Sequence, residues 1–336
     1  MINLKNVGKK YPDFQLIDIN LQIQKGEYFV VLGPSGSGKT LLLEMIAGLT
    51  KPDSGQINGL KDLRFGLIYQ DYMLFPHLNV AQNIGYGLRI AKENKTQIHS
   101  SVERISRDLG ISNLLSRSVQ TLSGGEKQRV AIARAMVLAP DIYLFDEPTA
   151  ALDLSTRIQT QNLFLKLRKE HQPTIVHVTH DFEEALALGD RIALILDGRI
   201  VQVDRAEKIF SNPATKSAAD FLGYKNVFSG EIKNYRMVLD GVEITTLVPQ
   251  AAKSYVAIRS MDIILSRERI LSSARNSFSG EVLKVINRTN YVEVILDVGV
   301  LIHVDITNQS CREMNIREKS RLWATFKTAA VKVFEH

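Results

Sequence analysis

The chain has 336 residues, 45% hydrophobic and 23% charged, with a formal net charge of +6. This length accommodates two domains, and the composition is that of a globular protein with no run approaching the roughly 18–20 apolar residues of a membrane-spanning helix. The opening Met1-Ile2-Asn3-Leu4-Lys5 lacks a secretory pattern, the basic residues are too scattered to suggest a nucleic-acid partner, and the sole cysteine, Cys311, excludes an internal disulfide.

The first strong element is Glu27–Leu32, a β-branched and aromatic run that reads as a buried strand. It feeds into Gly33-Pro34-Ser35-Gly36-Ser37-Gly38-Lys39-Thr40, and a helix is expected from Leu41 onward. Strand, glycine loop and helix in that order form a phosphate-binding loop. Its glycines let consecutive backbone N–H groups face one anion, and the helix adds its positive N-terminal end. Lys39 is placed to reach the β- and γ-phosphates, and Thr40 to hold Mg²⁺ through its hydroxyl.

Residues 81–120 are polar with a helical pattern, and Leu122-Ser123-Gly124-Gly125-Glu126 opens another expected helix, Lys127 to Leu138. Buried strands are expected at Ile142–Phe145, Thr174–Val178 and Arg191–Leu196, the last turning at Asp197-Gly198. Strands alternating with helices imply a mostly parallel, helix-covered sheet. The first of these strands ends in Asp146-Glu147. Asp146 is placed to meet a metal's hydration shell, and Glu147 to act as general base or to position the attacking water. Beyond Asn212-Pro213 and Gly223 helix signals fade and short alternating strands take over, such as Tyr255–Ile258 and Tyr291–Leu296. Phe228-Ser229-Gly230-Glu231-Ile232 recurs as Phe278-Ser279-Gly280-Glu281-Val282, which suggests a small β-barrel of two related halves. The boundary is expected near residue 225.

The three strings 33–40, 122–126 and 142–147, in this order, resemble the ATP-binding cassette (ABC) transporter family. Residues 1–225 would then be an α/β P-loop ATPase domain with a helical subdomain at about 75–138, and 226–336 an all-β, OB-like regulatory domain. The resemblance implies ATP and Mg²⁺ as cofactors, the metal being held by Thr40, Asp146 and Gln70 of Ile68-Tyr69-Gln70-Asp71. It implies catalytic roles for Glu147, Gln70 and His180, the last matching the family's switch histidine. Gly33 to Leu41 would hold the phosphates while Tyr11 stacks on adenine. Ser123, Gly124, Gly125, Glu126 and Asp153 would close on the ATP of a second copy, so a homodimer is implied. Partners would be two integral membrane permease subunits and, indirectly, an extracytoplasmic substrate-binding protein, with the chain peripheral on the cytoplasmic face of the membrane. Tyr72-Met73-Leu74-Phe75-Pro76-His77 is apolar for a loop, which fits either a permease coupling helix or packing on the helical subdomain. Two departures stand out: Ala150 where a serine is usual before Ala151-Leu152-Asp153, and Lys127 for a common glutamine.

Residues 270–334 resemble the molybdate-binding TOBE/MOP-type fold. The carriers are Ser272-Ser273-Ala274-Arg275-Asn276, the turn Val304–Ser310 and Trp323–Val331. Asn308-Gln309 depart from it, standing where relatives often carry basic residues. Ser273, Arg275, Asn276, Lys327 and Thr328 are all donors, the chemistry of an oxyanion site. Molybdate, tungstate and sulfate only accept, whereas hydrogen phosphate brings a proton that a donor-only site leaves unmatched. The expectation is an importer ATPase for molybdate or tungstate, with the cargo anion as regulatory ligand. Sulfate, a sugar or a polyamine remain as other cargoes, and a soluble non-transport ABC ATPase or an oxyanion-sensing protein as other classes.

Overall fold

The computed structural model describes residues 1–150 and 152–335. It divides into two compact units, Met1–Ile209 and Phe210–His336. In the first unit, β1 (Ile2–Lys10), β2 (Gln15–Ile23), β3 (Tyr28–Leu32) and α1 (Lys39–Ile46) are followed by β4 (Ser54–Asn58) and β5 (Phe65–Ile68). The helical segment comprises α2 (Val80–Ile84), α3 (Tyr86–Ile90), α4 (Lys95–Asp108) and α5 (Gly124–Met136). Then come β6 (Ile142–Asp146), α6 (Leu154–His171), β7 (Thr174–Thr179), α7 (Phe182–Leu188), β8 (Arg191–Leu196) and β9 (Arg199–Arg205).

The main sheet runs β5-β6-β7-β3-β8-β9, and β1, β2 and β4 form a separate antiparallel sheet. All neighbours in the main sheet are parallel except β8 and β9. Every residue of β3, β6 and β7 is buried. That is why these strands read in the sequence as unbroken apolar runs rather than alternations. Between the two sheets lies a core of Leu4, Ile19, Phe29, Val31, Leu42 and Ile46 with their neighbours. The consequence for function is positional. β5, β6, β7 and β3 are consecutive neighbours, so whatever follows their C-terminal ends is gathered along one edge, the usual place for a ligand in such a sheet.

The division falls within α8 (Ala206–Ser211), and the second unit contains α9 (Lys216–Phe221), then β10 (Asn226–Lys233), β11 (Arg236–Leu239), β12 (Val242–Thr245), β13 (Gln250–Ile258) and β14 (Ile264–Ser266). A second series comprises β15 (Asn276–Asn287), β16 (Val292–Asp297), β17 (Leu301–Ile306), α10 (Asn308–Glu313), β18 (Arg321–Phe326) and β19 (Lys332–Glu335). One sheet runs β12-β11-β10-β13-β19, the other β17-β16-β15-β18-β14. The two orders are the same once the last strand of each series is exchanged, so the barrel is a duplicated half with swapped closing strands. One core, including Val256, Val294 and Phe326, fills the space between them.

The short echo in the sequence marks the start of each half. Asn226 pairs with Ile258 in one sheet, and Asn276 with Phe326 in the other. Each asparagine reaches into the opposite half. Asn226 accepts from His303 N at 2.7 Å and donates to His303 O at 2.8 Å. Asn276 accepts from Thr245 N at 2.7 Å and donates to Thr245 O at 3.0 Å. Both asparagines are buried. Among the described residues no helix is long and apolar enough to cross a membrane.

Candidate active site

The phosphate loop leaves β3 and enters α1. Gly38 caps α1 with φ of 96°, in the left-handed region, and a Cβ there would stand 2.6 Å from Phe14 and Leu16 side-chain atoms. A Cβ on Gly33 would stand 2.2 Å from Ile195 O. Conformation requires glycine at the first position and close backbone approach requires it at the second. A cavity of about 770 Å³ is lined by the loop residues Ser35, Gly36, Gly38, Lys39, Thr40 and Leu41. Gln70, Glu147 and His180 line the same cavity. Tyr11 lies on an adjoining cavity of about 500 Å³ that shares Gly36, Asp13 and Phe14 with it.

Four neighbouring strands therefore deliver four groups: Gln70 beyond β5, Asp146 and Glu147 at β6, His180 beyond β7, and the loop beyond β3. Thr40 Oγ1 donates to Asp146 Oδ1 at 2.9 Å. Lys39 Nζ is buried, donates to the carbonyls of Gly33 and Pro34 at 3.0 Å each, and lies 3.3 Å from Glu147 Oε1. The other carboxylate oxygen of Glu147 is 2.8 Å from His180 Nδ1. Burial lifts the Asp146 carboxyl above the usual range; the Thr40 hydrogen bond opposes this and the Glu147 charge adds to it. Glu147 has φ of 45° and is anchored through its N–H to Val178 O at 2.9 Å. That turn sends its side chain away from the line of β6, so adjacent acids serve different neighbours.

Ser123, Gly124, Gly125, Glu126 and Asp153 do not line the cavity. Ser123 caps α5 in a reciprocal box: Glu126 N donates to Ser123 Oγ at 3.3 Å and Ser123 N donates to Glu126 Oε2 at 2.8 Å. This backbone bond, together with one from the Ser123 hydroxyl to the same carboxylate, holds the Glu126 carboxyl below its ordinary range. Asp153 caps α6, accepting from Thr156 Oγ1 at 2.7 Å and Ser155 Oγ at 2.8 Å. Those bonds hold its carboxyl well below the ordinary range. Ala151 lies outside the described residues.

In the second unit Ser273 and Lys327 line a cavity of about 510 Å³, with Arg259, Lys332 and Asp262 on its wall. The polar groups of the wall are mainly donors with one carboxylate, and Ile264, Ile270 and Phe326 contribute to a larger apolar share. Thr328 does not line this cavity; its Oγ1 is buried with no hydrogen-bond partner among the described residues. Arg275 makes no ion pair among the described residues and does not line the cavity. Asn276 commits its carboxamide to the Thr245 backbone.

Residues 16–150 match the ABC transporter family model and residues 272–333 the TOBE domain model. The chain is similar to a molybdate/tungstate import ATP-binding protein of Pyrococcus abyssi, 43% identical over 99% of this chain and 100% of that protein. The chain belongs to the ABC transporter ATP-binding family. A protein of the same description from Thermococcus kodakarensis is 45% identical over 84% of the chain and 88% of its own length. Among solved structures, a dimeric ATP-binding cassette in a post-hydrolysis state with ADP and phosphate matches with a TM-score of 0.56 and 32% identity. It covers 61% of this chain and 99% of its own. As an ABC ATPase subunit, the chain is a nucleotide-binding enzyme with a C-terminal TOBE domain.

Two features of the cassette lie outside the strings read from its sequence. Arg134 of α5 donates to Met73 O at 2.7 Å and Tyr72 O at 2.9 Å, bracing the loop after Gln70. Both carbonyls belong to residues of positive φ. The second is the buried Glu184, which accepts from Thr149 Oγ1 at 2.7 Å and from Thr179 Oγ1 at 2.8 Å. Neither has a motif signal, because each depends on residues brought together only by the sheet.

Proposed function

We propose that the chain is the ATP-hydrolysing motor of a molybdate/tungstate importer and works as a homodimer on two integral membrane permease subunits. It lies on the cytoplasmic face of the membrane, and an extracytoplasmic binding protein supplies the cargo. The observation that carries the motor reading is the convergence of Lys39, Gln70, Glu147 and His180 on one cavity. The cargo rests on the full-length likeness to the Pyrococcus abyssi importer ATPase.

ATP binds with its phosphates along residues 33–41 and adenine toward Tyr11. Lys39 neutralises the β- and γ-phosphates. Thr40 and Asp146, 2.9 Å apart, offer an oxygen-only set suited to Mg²⁺, and Gln70, which lines the cavity with Thr40, completes it. When bound, Mg²⁺ screens the phosphate charge. Glu147 takes the proton of the attacking water, and His180 orients Glu147 and faces the γ-phosphate. Ser123 to Glu126 and Asp153 of a second copy close the site from the far side. Hydrolysis removes the anion that both halves grip, and the dimer opens.

Residues 1–225 serve as the motor domain and 226–336 as the regulatory domain. Cargo anion accumulating in the cytoplasm binds at Lys327 and Ser273, with Thr328 and Arg275, each next in sequence to a lining residue, as further donors, and slows the motor. Asn276 supports this site by stapling its strand to the opposite half. A permease helix docks against Tyr72–His77, of which Met73 is exposed.

The test is uptake into vesicles holding this chain with its membrane subunits. Labelled tungstate or molybdate is expected to accumulate only with ATP, and Glu147→Gln to stop it. Accumulation of sulfate or spermidine in their place would overturn the cargo.

A further inference from the structure

We infer that Glu184 is a positioning residue for ATP hydrolysis, its two carboxylate oxygens tying the turn that carries Glu147 to the strand end that carries His180. The inference rests on the motor reading above and adds to it a group that never meets the nucleotide.

Glu184 is 1% exposed, an unusual place for a carboxylate in an apolar interior. Its cost is offset only if each oxygen finds a donor. Both do. Thr149, just past Glu147, donates its hydroxyl to Oε1, and Thr179, just before His180, donates to Oε2. His177 Nε2 lies 3.5 Å from Oε2, and the other ring nitrogen is 2.9 Å from Tyr28 OH. Burial works against ionisation here, but His177 and the hydroxyl bonds outweigh it and hold the carboxyl down to about 2. Hydrogen bonds to an ionised acceptor are the strong ones.

The helix does not need this side chain for its own sake. The cap of α7 is Asp181, whose Oδ1 accepts from Glu184 N at 3.0 Å. Asp181 is itself fixed by Arg157 at 2.9 Å, and its N–H donates to Thr179 Oγ1 at 3.0 Å. The Glu184 carboxylate therefore serves the two threonines. Thr149 and Thr179 belong to segments on neighbouring strands, and the 2.8 Å contact between Glu147 and His180 spans the same gap. Loosening the clasp lets the two reacting-site side chains drift apart while the phosphate loop on β3 stays in place.

The experiment measures steady-state ATP hydrolysis and nucleotide binding by the full chain carrying Thr149→Val, Thr149→Ser, Glu184→Gln, the Thr149→Val/Glu184→Gln pair, or Glu147→Gln. Thr149→Val keeps the shape and removes the hydroxyl. It is expected to lower kcat about 10–100-fold, the scale of a small misplacement of reacting groups, with the KM for ATP within about threefold. Thr149→Ser is expected to restore most of the rate, and the double variant to fall little below Glu184→Gln alone. If Thr149→Val turns over at the wild-type rate, or if Ser fails as Val does and KM rises in step, the positioning role is wrong. Loss of turnover in Glu147→Gln beside a wild-type rate in Thr149→Val leaves the motor reading standing and removes only the clasp. Full turnover in Glu147→Gln removes both.

Discussion

His180 Nδ1 stands 2.8 Å from Glu147 Oε2, while Lys39 Nζ approaches the other oxygen of the same carboxylate at 3.3 Å. The carboxylate is thus held from both sides by groups that also face the phosphate cavity. A base fixed in this way has one orientation, which suits removal of a proton from a water aligned with the γ-phosphate.

Glu147→Gln is expected to lower kcat by about 10²–10⁴-fold, the range for loss of a general base, while ATP still binds. Lys39→Ala is expected to weaken ATP binding itself, because its ammonium neutralises the phosphates. Single-turnover hydrolysis alongside a nucleotide titration separates the two. Turnover of Glu147→Gln within tenfold of wild type would assign the base elsewhere.

The paired asparagines of the barrel predict a stability effect. Asn276→Ala leaves the Thr245 N–H and C=O without partners, and unmade buried bonds cost about 1–3 kcal/mol each. The second unit is expected to lose about 2–4 kcal/mol in denaturant unfolding. Asn226→Ala is expected to cost a similar amount at His303. Lys327→Ala, at an exposed position, is expected to stay within about 0.5 kcal/mol of wild type.

How far the sequence carries the argument depends on whether a residue's partners are local. Gly33 to Thr40 and Asp146-Glu147 are legible because a short string fixes both their backbone and their chemistry. Ser123 is legible as a helix start, since its box partner Glu126 lies within the same string. Glu184 is not: one threonine partner is 35 residues away and the other sits on a strand whose neighbours only the sheet order decides. Asn276 shows a third case. Its place in Ser273-Ala274-Arg275-Asn276 marks the right segment, but its carboxamide reads as an anion donor only until Thr245 is brought against it. The Phe-Ser-Gly-Glu echo reveals two halves, yet nothing near β14 or β19 says that each closes the other half's sheet.

The second-unit cavity predicts binding of an oxyanion. Molybdate and tungstate are expected to bind the full chain in calorimetry, with binding lost in Lys327→Ala and weakened in Ser273→Ala. Asp262 shares the wall and repels any anion seated there. Asp262→Asn is therefore expected to tighten binding by about 2–10-fold, as removal of one partly screened like charge does. Unchanged affinity in both Lys327→Ala and Asp262→Asn would place the anion elsewhere.

Glu293 predicts an acid limit for the second unit. It is buried between Arg288 Nη2 at 2.8 Å, Lys225 Nζ at 2.9 Å and His303 Nδ1 at 3.0 Å. Burial would raise its carboxyl, but the bonds from Arg288, His303 and Lys225 prevail and hold it at about 2, against an ordinary value of 4.5. The folded state binds this proton less readily than the unfolded chain does. The stabilisation is thus complete above about pH 4.5 and is lost as pH falls toward 2. A depression of that size corresponds to about 3 kcal/mol. Denaturant unfolding followed at the barrel's Trp323 is expected to show stability dropping by that order across this window. Glu293→Gln is expected to be less stable at neutral pH, because Lys225 and Arg288 lose their shared charge, and its stability is expected to fall less over the same window. An identical pH profile in wild type and Glu293→Gln would assign the acid response to other carboxylates.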